Sequence, residues 1–153
     1  MRAAHVLAEI ENYLGLLQRS PLPKREALEK LAEALDRLSL AYRHTSDRVQ
    51  VSAQSAEPPP SDTEAMHKLA ARAFPDLGFY ASVAPEADAT DITMGYAIGD
   101  IAEIACDLQE VVWRWKNIGA DDAIWEFRFG FQTHWGRHLQ DVRRYLHARL
   151  YQT

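Results

Sequence analysis

Cysteine is nearly absent: with Cys106 alone, no intramolecular disulfide can form, so a hydrophobic core must hold this chain together. Long apolar runs are missing as well, and nothing approaches the roughly 18 to 20 residues of a membrane span. The opening MRAAHVLAEIENYLGLLQR carries an early charge as an export signal does, but Glu9, Glu11 and Asn12 interrupt the apolar core such a signal needs. These absences predict a soluble cytoplasmic protein with no membrane partner, in which Cys106 stays reduced. Basic residues are in deficit, 17 Lys and Arg against 22 Asp and Glu for a net charge of −5. They are spread along the chain, so no patch offers itself to a phosphate backbone, and nucleic acid is not an expected partner. Glycine-rich phosphate loops and Ser/His/Asp triad contexts are lacking too.

What the sequence does hold is helical periodicity. At 153 residues the chain suits one domain that buries about two thirds of its unfolded surface. Val6, Leu7, Ile10, Tyr13, Leu14 and Leu17 mark the inner stripe of a first helix. Ser20 and Pro21 stop it and supply a cap and first turn for a second, whose stripe is Leu28, Leu31, Leu35, Leu38 and Tyr42. Residues 43–60, RHTSDRVQVSAQSAEPPP, lose the period and read as a mobile linker. Ser61 and Glu64 form a capping box for a short helix reaching Pro75, after which the chain is irregular to about Asp91.

The loop PEADATDITMG contains Glu86, Asp88 and Asp91, but counted from Glu86 the sixth place is Asp91 instead of Gly and the twelfth Ala97 instead of Glu. A calcium loop of the EF-hand kind is thereby excluded. A long helix follows from Ile92 or Tyr96 to Asn117, with Gly119 as its stop, and a last helix is predicted from Asp121 unbroken to about Leu150. Gly130 and Gly136 weaken it, and close approach of another backbone is the expected reason. The predicted fold is all-α, a single-domain helical bundle of four to five helices: a pair over 1–42, the linker 43–60 and a helical part over 61–153.

Polar residues interrupt these faces in one region. The long helix is apolar on its main face and small or apolar opposite, which predicts a central position. Its remaining stripe is Asp100, Glu103, Asp107 and Glu110, closed by Arg114. At 100° per residue the last helix places Ile124, Phe127, Phe131, Trp135, Val142, Tyr145 and Leu146 on one arc. His138 falls within that arc, His134 at one edge and Arg128 at the other.

Three readings compete. The histidines can be core residues satisfied by a carboxylate, which fixes packing and does no chemistry. His134 and His138, four apart in THWGRH, can instead be metal ligands completed by Asp100 and Asp107, with Glu103 or Arg128 contacting a substrate and Trp135 and Arg137 nearby. Trp135 stands where the HExxH motif has its glutamate, and Glu-x-x-His pairs are missing, so neither the zincin nor the di-iron pattern is the source. Lastly, Asp100-x-x-Glu103 and Asp107-x-x-Glu110 can hold magnesium through carboxylates alone. Cys106 has no identifiable histidine partner and is read as packing.

GDIAEIACDLQEVV followed by WEFRFGFQTHWGRHLQDVRRYLH resembles the bacterial family described as domain of unknown function 5063. The resemblance rests on the acidic helix with Asp100 and Asp107, the His134-Trp135-Gly136-Arg137-His138 signature and the final helix, mainly over residues 92–148. It implies a small, soluble, mainly helical bacterial protein and assigns no role to any residue. The expectation is an interaction or accessory module, with Trp113, Trp125 and Phe129 covered by a protein partner or a second copy, or equally packed on the mobile segments. The alternative is an enzyme using a divalent metal at His134, His138, Asp100 and Asp107.

Overall fold

The computed structural model describes residues 2–48, 57–88 and 90–152. In chain order the described residues form α1 (Arg2–Gln18), α2 (Lys24–Arg43), α3 (Thr63–Ala73), β1 (Phe79–Ser82), β2 (Thr93–Tyr96), α4 (Ala97–Asn117), α5 (Ala120–Thr133) and α6 (Trp135–Tyr151). Helix α4 is the axis, with α1, α3, α5 and α6 all packed on it. Its composition explains the position: Ile101, Ile104 and Leu108 on one side and Ala102, Ala105 and Cys106 on the other are all buried. Each buried Ile or Leu contributes about 1.5–3 kcal/mol. Tyr13 of α1, fully buried, donates its hydroxyl to the Ile101 carbonyl at 2.9 Å and so ties the first helical pair to the axis. No helix among the described residues is long and apolar enough to cross a membrane.

The helical class holds with two amendments: there are six helices among the described residues instead of four to five, and a hairpin lies where irregular chain was expected. Strands β1 and β2 pair antiparallel, Phe79 opposite Tyr96 and Tyr80 opposite Gly95. Four-residue strands separated by a long loop give no measurable alternation, and one strand carries a glycine, which normally argues against a strand. That glycine has a local purpose. A β-carbon on Gly95 would lie 2.2 Å from the Tyr80 ring, so only glycine lets the ring lie flat across the second strand.

Helix boundaries shift for identifiable reasons. Helix α2 begins at Lys24, after Pro23, instead of at Ser20 and Pro21. The ring of Pro23 keeps Leu22 out of helical geometry, so the helix starts only beyond it. The cap of α3 is Asp62, accepting from the Ala65 amide at 3.0 Å, in place of the Ser61 box. Gly119 takes φ 156° and ψ 171°, a conformation L side chains rarely adopt, and separates α4 from α5.

The predicted unbroken last helix is two helices. His134, at φ −146° and ψ −78°, ends α5 and precedes α6. Gly136 makes the junction possible, since a β-carbon there would lie 2.0 Å from the Phe131 carbonyl oxygen. Close backbone approach was the right expectation for this glycine, but the approach is across a helix break instead of between neighbouring helices. Of the expected linker, residues 44–48 and 57–60 have no regular helix or strand, and 49–56 lie outside the described residues.

Candidate functional site

Spacing on α4 places Asp100, Glu103 and Asp107 on one face, at i, i+3 and i+7. The α5–α6 junction turns two imidazoles towards it. His134 Nδ1 lies 2.5 Å from Asp107 Oδ2, and His138 Nδ1 lies 2.7 Å from Asp100 Oδ1. Each histidine therefore has its own carboxylate at the same ring nitrogen. A neutral imidazole donating from Nδ1 leaves the Nε2 lone pair outward, and in metalloproteins this second contact fixes the tautomer and raises ligand basicity.

The Nε2 side carries the third carboxylate. Glu103 Oε2 is 3.6 Å from His134 Nε2. Ligand atoms offered by Glu103, His134 and His138 lie within 4.8 Å of one another. The two imidazole rings meet edge to face, with centroids 4.9 Å apart. Exposure is graded across the cluster: the Asp100 side chain is 8 % exposed, while His134 and Glu103 are 39 % and 40 % exposed. The aspartates thus back the histidines, and the third carboxylate opens to solvent.

Electrostatics follow the same gradient. Burial raises the Asp107 carboxyl above its ordinary value, only partly offset by the His134 hydrogen bond and charge. Asp141, one turn beyond His138 on α6, is raised by burial and by the Asp100 charge. Behind Asp100 stands Tyr80, which donates its hydroxyl to the second carboxylate oxygen. The phenol is held protonated by burial and by that bond, so Tyr80 serves Asp100 as a donor. Farther along α4, Arg114 binds Glu110 at 3.0 Å and Asp122 at 2.8 Å. Glu126 beside them is pushed up to about 7 by burial and by Glu110.

All four expected ligands, His134, His138, Asp100 and Asp107, come together, and Glu103 joins them. Both aspartates contact a histidine Nδ1, and Glu103 lies on the Nε2 side of His134. Trp135 is fully buried beneath, tilted against Phe127 and edge to face with Phe131, and its Nε1 has no hydrogen-bond partner among the described residues. Gly130 provides its space: a β-carbon there would lie 2.8 Å from the indole. Arg137 is exposed and acts on Asp141 through its charge.

Arg128 is not part of the cluster. Its guanidinium donates to Thr45 Oγ1 at 2.7 Å and to Asp47 at 3.0 Å, and lies 4.7 Å over the Tyr42 ring. It pins the segment after α2, a contact the helical wheel cannot foresee. Cys106 turns to Thr63 on α3. The loop carboxylates Glu86, Asp88 and Asp91 are all exposed. Sequence reasoning missed Tyr80 as the Asp100 donor and Asp141 as a flanking acid; the His138-x-x-Asp141 spacing on one helix was the available signal for the latter.

The chain belongs to the family described as domain of unknown function 5063, whose model matches residues 2–152. No curated protein matches it. The fold is similar to the crystal structure of protein BF1032 from Bacteroides fragilis, at 16 % identity and a TM-score of 0.79, covering 99 % of this chain and 94 % of that one.

Proposed function

We propose that this protein is a metal-dependent enzyme whose centre is a divalent transition ion held by His134, His138 and Glu103. Asp107 and Asp100 orient the imidazoles from Nδ1, and Tyr80 steadies Asp100. The observation that supports this reading is the pair of independent Asp–His contacts from one helix, which leaves His134 Nε2 beside Glu103 and a ligand atom of His138 within 4.8 Å of both. A packing network needs one partner per histidine; it does not need a third, open carboxylate at the outer nitrogen. Two imidazoles and one carboxylate suit zinc or ferrous iron better than magnesium, which prefers oxygen ligands. Three protein ligands would leave a position for water, and a metal held there would supply Lewis-acid activation of that water.

The interaction-module reading, with the polar cluster serving only to fix helix packing, has its own support. Phe79, Ile92 and Met94 on the hairpin are 64–72 % exposed, and Phe129, stacked on Trp125, is 48 % exposed. Elemental mass spectrometry on protein purified without a metal-binding tag separates the two. Near one equivalent of metal in wild type, lost in the His134→Ala, His138→Ala double variant, is the expected result. A wild type that is empty and rejects added zinc, manganese and ferrous iron overturns the metal reading.

A further inference from the structure

A cleft of about 620 Å³ runs between the hairpin and α6, lined on the hairpin side by Tyr80, Val83 and Ile92 and on the helix by Asp141 and Arg144. Its size falls in the range of small-molecule sites, roughly 300–1,000 Å³. Three features give it a polarity. Val83 and Ile92 are 40 % and 65 % exposed, forming an apolar wall open to solvent. Arg144 is exposed on the opposite wall and makes no hydrogen bond or ion pair among the described residues, although Asp141 is only three residues away on the same helix. The floor is aromatic, with Tyr80 stacked on Tyr145 at 5.0 Å between centroids.

Tyr80 is also the wall shared with the candidate centre, because its hydroxyl reaches Asp100 and Asp100 holds His138. Asp141 lines the cleft and acts through its charge on the same groups. Arg144 is the cationic side chain among the lining residues and faces an anionic head group, although Asp141 sits on the same face of α6, and Val83 and Ile92 are left to an apolar body.

We propose that the cleft binds a small amphipathic organic anion, its carboxylate or phosphate head on Arg144 and its apolar body against Val83 and Ile92. A guanidinium accepts either head group through paired N–H donors. The identity of this molecule as a substrate rests on the metal reading above; its binding does not.

Calorimetric titration of full-length protein with octanoate and, separately, octyl phosphate tests this, with octylamine as the control of opposite charge. Titrations are run in EDTA on wild type and on the His134→Ala, His138→Ala variant, so that loss of the centre and failure of the cleft are read apart. Expected is saturable one-to-one binding of at least one anion in both proteins, with octylamine not binding. Arg144→Ala should weaken it at least about tenfold, the loss of a charged hydrogen-bond donor. Ala148→Trp, which fills the cleft from α6, should abolish it while circular dichroism stays unchanged. Should Ala148→Trp unfold, the Arg144→Ala result decides alone, since that side chain is exposed. Absence of saturation by either anion, equal binding of octylamine, or indifference to Arg144→Ala overturns the proposal. Which anion binds more tightly identifies the head group.

Discussion

Asp107→Asn separates the metal account from a packing account by a single atom. In the wild type, Asp107 Oδ2 lies 2.5 Å from His134 Nδ1, and the aspartate side chain is 29 % exposed. Asparagine keeps the shape and an accepting oxygen but loses the charge that makes His134 a better ligand. Changes to such backing residues weaken metal affinity about 10- to 100-fold, which is about 1.4–2.7 kcal/mol. Metal-free stability should respond in the other direction. Burial raises the Asp107 carboxyl above its unfolded value. A raised carboxylate contributes most below the unfolded pKa and loses that contribution as pH rises through the folded one. At pH 7 the ionised side chain is thus less favourable folded than unfolded, and neutral asparagine removes that cost. Tm in EDTA should stay level or rise slightly. If the carboxylate serves packing alone, zinc affinity is indifferent to the change. Scanning calorimetry in EDTA and zinc competition against a chelating dye give both numbers. Zinc affinity unchanged by the substitution, or a Tm clearly lowered in EDTA, refutes the reasoning.

Gly136→Ala places a β-carbon 2.0 Å from the Phe131 carbonyl oxygen, so the α5–α6 junction must open. A loss of about 1–3 kcal/mol in thermal melts is expected, together with weaker metal binding because His138 moves. Glu126 is raised from 4.5 to about 7, so the folded chain holds a proton the unfolded chain has released, and stability contributed by this group falls as pH rises between those values. Glu126→Gln should flatten that decline and be more stable than wild type above pH 7, as read from urea midpoints across pH. Arg128→Ala should cost about 1–3 kcal/mol by freeing Thr45 and Asp47, leaving zinc affinity unchanged in the same dye competition.

Periodicity made the central helix legible, because a sequence apolar on two faces has to be surrounded, and α4 is. The same argument isolated the stripe of Asp100, Glu103 and Asp107 and set His134 and His138 against it. Wheel geometry could not see the junction at His134, since the two segments differ in phase only after a break that Gly136 permits. With a straight helix assumed, the aspartates are read as ligands; the structure sets each of them at a histidine Nδ1. Arg128 illustrates the opposite error, a side chain near an apolar edge whose partners come from a segment some 80 residues earlier. The hairpin was hidden for want of length, and with it Tyr80, whose place depends on the glycine across from it.

The most direct test is an anomalous difference map from crystals grown with zinc and measured on both sides of its absorption edge. The account predicts one peak about 2.0–2.2 Å from His134 Nε2, His138 Nε2 and a Glu103 oxygen, with Asp107 and Asp100 still at Nδ1. A peak coordinated by the aspartates, or none near these residues at saturating zinc, contradicts it.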